Sequence, residues 1–268
     1  MTSSLSPSLD VGLAIRDGWQ AFCRAPWPFV GFIVLTGVLS QIAMQIPGIG
    51  WLVASIVINL WGGVGLIRGS WIALEGRTLR FADLTGWDGR AALRLFTRQL
   101  VLALLLSLIV LVMISLAFVA SGGPAMLVEL VDKLVALTPD EELMAQELLS
   151  TGSMLGERLV TSPVAGLSFL IGGVLLLYLQ VNQAFLGFIA LLEGRGPIGA
   201  IQRGRVVVDG QWWQVLGLLI LETLILFIGF VLVLVGLLAA VPLTFCISGA
   251  AYRQLFGTED QAGLLNGL

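Results

Sequence analysis

The chain has 268 residues, 57% of them apolar and only 12% charged, whereas an ordinary soluble domain carries charge on about a quarter of its residues. Its net charge of −3 disfavours a nucleic-acid partner. The absence of histidine removes the commonest metal ligand and general base, so no catalytic, cofactor-binding or metal-ligating set is assigned. The apolar runs are too long to be anything but spans, so one all-α integral membrane domain with about six transmembrane helices is expected.

Residues 8–25 read as an amphipathic helix started by Ser6 and Pro7. Val11, Ile15, Trp19 and Phe22 lie on its apolar side, with Asp10, Asp17, Gln20 and Arg24 opposite. It is expected to lie in the membrane interface. Three spans follow within 27–120: Trp27 to Gln45, Trp51 to Ala73 and Gln99 to Ala120. At about 1.5 Å per residue each crosses a hydrocarbon core of about 30 Å. Pro47, Gly48 and Gly50 make the first turn, and Gly65 with Gly69 forms a GxxxG pair expected to pack within the chain. Arg90, Arg94 and Arg98 stand four apart and share one helical face. They are read as topology anchors or as contacts with anionic lipid headgroups.

Residues 121–162 break the apolar pattern and form the only sizeable extramembrane segment. A helix is expected from Ala125 to Leu137, and Thr138, Pro139 and Glu141 give a capping-box signature for a second. The segment is acidic, with Glu129, Asp132, Asp140, Glu141, Glu142, Glu147 and Glu157 against Lys133 and Arg158.

Three more spans occupy 163–256, and 257–268 is a short tail. Pro163 to Leu192 is about 45 Å long as a helix, which implies tilt, a protruding end or a kink near Gly172 and Gly173. The later runs divide at Gly236 into Trp213 to Val235 and Leu238 to Phe256. Between them and the fourth span lies a basic corner carrying Arg203 and Arg205, a second pair of candidate anionic-lipid contacts. With both termini cytoplasmic, all 14 Lys and Arg except Lys133 and Arg158 fall on the cytoplasmic side.

Part of the chain repeats. Ile72 to Arg77 spells IALEGR and Ile189 to Arg195 spells IALLEGR, each before an Arg-bearing segment and an apolar run. Ala14, Ile15 and Trp27 match Ala200, Ile201 and Trp213 at one offset. Glu193, Pro197, Ala200, Gly210 and Trp213 mark a span end, an interfacial segment and the next span. In these residues the chain resembles the bacterial integral membrane proteins known as glycerophosphoryl diester phosphodiesterase membrane-domain-like. Gly204 departs from the small hydroxyl residue of that pattern. The resemblance implies a multi-pass domain of the bacterial inner (plasma) membrane or an internal membrane. The phosphodiesterase activity in the family's name belongs to a fused soluble barrel, and no such barrel is expected within these 268 residues.

Glu222 is the one carboxylate well inside an apolar run, where an ionised group must be paired, protonated or turned inward. Arg68 is its expected partner, with Asn59, Gln180, Asn182 and Gln183 completing a polar cluster. The expected function is a non-enzymatic scaffold, assembly or membrane-organising factor, with the bilayer and other membrane proteins as partners. The alternative is a small transporter or lipid-handling protein that uses the Glu222/Arg68 cluster.

Overall fold

A computed structural model describes residues 8–136, 141–232 and 235–265. Among them every regular element is helical, and six stretches are long and apolar enough to cross a membrane. The protein is an all-α, multi-pass membrane protein. Large apolar side chains such as Leu104, Leu108 and Leu111 are exposed along these helices, a surface that only lipid covers cheaply. The chain forms two compact units, Met1–Leu102 with Gln180–Leu268, and Ala103–Leu179.

In the larger unit, α1 (Val11–Arg24) begins at Asp10, whose carboxylate accepts the Leu13 N–H at 2.9 Å. The expected start at Ser6 and Pro7 lies outside the described residues. The helix does not spend its bulky face alone. Ala14, Gly18, Ala21 and Phe22 are buried, while Trp19 is 54% exposed. A Cβ at Gly18 would sit 2.6 Å from the Ile247 Cα, so this stripe packs directly on α12 (Val235–Phe256). Gln254 of α12 fastens the contact, accepting the Asp10 N–H at 2.8 Å and donating to the Asp10 carbonyl at 3.3 Å. The expected interfacial helix is thus bound to its own chain. Small residues escape a count of bulky apolar positions, yet they allow the closest approach.

Helix α2 (Pro26–Ala43) starts on Pro26, whose missing N–H costs nothing there. It packs on α3 (Gly50–Leu74), and the GxxxG pair works inside the chain as expected. A Cβ on Gly65 would come 2.5 Å from both the Leu84 carbonyl and Phe32, and one on Gly69 would come 3.1 Å from Phe29. Leu84 belongs to α4 (Phe81–Thr85), a short helix that the sequence pattern did not announce. Next comes α5 (Gly89–Ala120), one continuous helix that carries the arginines as well as the third span. Asp88 caps it, accepting the N–H groups of Arg90 and Ala91 at 3.0 Å.

The smaller unit holds α6 (Gly123–Ala136) and α7 (Glu141–Thr161). Of the capping signature, Thr138 and Pro139 lie outside the described residues, and α7 begins at its Glu141. Lys133 lies 2.8 Å from Glu147 and 3.3 Å from Glu129, and these hydrogen bonds raise its pKa above the ordinary lysine value. Helix α8 (Pro163–Asn182) runs unbroken through Gly172 and Gly173, so of the three readings of its length the kink there is not the one adopted.

The break comes at Asn182 to Phe185, back in the larger unit. There α9 (Leu186–Phe188) passes into a π-helical turn, Ile189–Glu193. Asn182 and Gln183 turn their amides to the following corner, with Gln183 donating to the Ile201 carbonyl at 3.1 Å and Asn182 to Asp209 at 3.2 Å. That corner is α10 (Pro197–Val208) and a 3₁₀ turn, leading to α11 (Trp212–Val231). Gly204 is required here, because a Cβ would lie 2.8 Å from the Asn182 carbonyl.

The repeated motif is also a repeated shape. Gly76 and Gly194 both follow a helix-ending Glu in the left-handed region, at φ 76° and 65°. The second copy has one more Leu, and its helix end is π rather than α, a turn that takes up one extra residue.

Candidate functional site

The expected Glu222/Arg68 cluster does not form. Arg68, only 5% exposed, donates to the Gly86 carbonyl at 2.9 Å and lies 3.8 Å from Asp88, so it ties α3 to the loop before α5. Asn59 donates to the Ser55 carbonyl of its own helix at 2.8 Å. Gln180 is exposed, and Asn182 with Gln183 holds the α10 corner. The reason is angular. Successive helical residues are about 100° apart, so when Ile67 faces the Glu222 region its neighbour Arg68 turns away.

Glu222 instead faces a cavity. The space has a volume of about 270 Å³ and lies between α3, α5, α9, α11 and α12. Gly63, Ala184 and Gly187 line it with little or no side chain, which leaves space that larger side chains would fill. Its polar lining is Glu222, Ser248, Thr244 and Gln99, with Ile67, Leu95, Phe188, Leu226 and Phe245 supplying apolar wall. Glu222 is 8% exposed, and its Oε1 accepts the Ser248 hydroxyl at 2.6 Å. Thr244 is occupied by its own helix, donating to the Val241 carbonyl at 2.8 Å. Among the described residues no cation pairs with Glu222.

One hydroxyl is thin compensation for a carboxylate in a low-dielectric interior, because a buried charge without a counter-charge costs several kcal/mol, on the order of 3–5. The site is therefore fit to receive a proton, a cation or a strong hydrogen-bond donor. Among the described residues no group of three or more Cys, Asp or Glu converges to hold a metal ion. Ser248 was missed because a serine in an apolar run looks like packing. Hairpin arithmetic would have found it. Glu222 lies about twelve residues before the break between α11 and α12 and Ser248 about fourteen after it, which puts them at one depth.

The expected headgroup contacts divide. Arg98 is 3% exposed and donates to the Arg94 carbonyl at 2.8 Å, so it faces the protein. Arg203 pairs with Glu193 at 3.4 Å and lies over the Phe256 ring, and Arg205 pairs with Asp209 at 3.6 Å. Arg90 and Arg94 share a groove. Glu193, whose side chain is 7% exposed, also takes Arg195 and the Tyr252 hydroxyl, which makes the motif corner an ion-pair hub. Compared with protein-family models, with curated proteins and with solved structures, the chain matches none.

Proposed function

We propose that this chain is a small membrane transporter or lipid-handling protein whose Glu222 cavity receives the cationic or hydrogen-bond-donating group of an amphiphile. The observation that carries this reading is a buried carboxylate lining a cavity among the spans, with one hydroxyl as its partner. Intramembrane carboxylates are costly to keep and usually mark substrate or ion paths. A cavity of about 270 Å³ suits a headgroup or a small organic ion, and its apolar wall suits an attached chain.

The alternative, a scaffold, draws on the number of interfacial helices and the shortage of buried polar groups in the sequence. That support weakens, because α1 places its small-residue stripe against α12 and α10 closes on Asn182 and Gln183. The proposed location is the bacterial plasma membrane with both termini cytoplasmic, which the distribution of Lys and Arg supports.

Substituting Glu222→Gln keeps the shape and removes the charge. In nanodiscs, binding of a long-chain alkylammonium probe should weaken at least about tenfold, the scale of one lost charge interaction. Equal binding by the variant and the unaltered protein would remove Glu222 from the site.

A further inference from the structure

Arg90 and Arg94 face a groove of about 450 Å³ whose other lining residues are Asp88, Ala262 and Gly263. Its far wall is the chain's own C-terminal segment. That segment is held down where the Ala262 N–H donates to the Leu192 carbonyl at 2.8 Å and Leu264 is buried. Asp260 fixes its shape by accepting the N–H groups of Leu264 and Leu265 at 3.0 and 2.9 Å.

The charges in this groove do not balance among the described residues. Among the described residues, neither Arg90 nor Arg94 pairs with a carboxylate. Asp88 is already engaged, one oxygen capping α5 and the other facing Arg68 at 3.8 Å. Arg94 reaches the Ala262 carbonyl with one nitrogen at 3.5 Å, and its Nε is buried with no acceptor. Both guanidiniums also stand in the first turns of α5, the positive end of its dipole, where cations destabilise the helix unless an anion is present. An arginine that only anchors topology would extend freely into the headgroups. These two converge on a walled concavity.

We propose that this groove binds a phosphate group, presented by an anionic lipid headgroup. Guanidinium forks match phosphate oxygens in pairs, and two forks sharing a concavity outcompete a lone surface arginine. The groove shares no lining residue with the Glu222 cavity, so the two sites stand or fall separately.

Arg90 is exposed, so Arg90→Gln removes one fork without disturbing packing, and Arg94→Lys keeps charge but loses the paired geometry. The full chain is placed in nanodiscs of phosphatidylglycerol in phosphatidylcholine, then released, and its retained lipid is read by native mass spectrometry. In a second arm, inorganic phosphate is titrated into the detergent-solubilised protein. The expected result is preferential retention of phosphatidylglycerol that falls about tenfold or more in both variants, with no saturable binding of inorganic phosphate. Saturable phosphate binding that Arg90→Gln abolishes, without lipid retention, supports the phosphate site and gives it a soluble ligand. Retention and titration that are the same in both variants as in the unaltered protein, or that are absent throughout, overturn the proposal.

Discussion

At Gly18 the first helix comes so near α12 that an added side chain meets the Ile247 backbone rather than a movable rotamer. Gly18→Leu should therefore lower stability by about 1–3 kcal/mol or more, seen as a reduced melting temperature in detergent. Leu13→Ala, on the exposed face of the same helix, should change it little. This scale is also where the sequence was least legible. Glu222 stood out because it is the one carboxylate well inside an apolar run, and it does line the cavity. Its partner did not stand out. Whether Arg68 or Ser248 meets it depends on helix rotation and on the depth of neighbouring spans, neither of which adjacent residues encode.

Among the elements, long apolar runs were legible and short or interrupted pieces were not. Helix α4 has five residues, too few to show a period, yet its Leu84 fills the gap opened by Gly65 and Gly69. Gly172 and Gly173 suggested a kink, but a hydrogen-bonded helix in lipid tolerates glycine, and the break falls where the Asn182 and Gln183 amides engage α10. The two motif corners show what one residue can do. With the extra Leu, Glu193 is turned inward to Arg203 and Tyr252, while Glu75 in the shorter copy stays outside with Arg77 at 3.4 Å. Deleting Leu192 should replace the π turn with an α turn and swing Glu193 about 100° away. The variant should then melt lower, and Arg203→Gln should cost it less than it costs the unaltered chain, as a double-mutant cycle would show.

For the whole molecule, the proposed topology rests on charge asymmetry rather than on any single contact. Cys23 is exposed and Cys246 buried, so an impermeant maleimide should label Cys23 alone, in inverted vesicles and not in intact cells. A cysteine replacing the exposed Ser153 in a Cys23→Ser background should show the opposite sidedness; labelling of both from one side would refute the orientation. The clasp between Asp10 and Gln254 also carries a timetable. Its partners are 244 positions apart, and at synthesis rates of about 5–20 residues per second the first helix waits roughly 10–50 s for the last span. Throughout that interval its stripe of Ala14, Gly18 and Ala21 has no α12 to bind. The fold of the larger unit is thus completed by its final membrane helix, and a chain that stops short of α12 loses the seat of its beginning as well as its end.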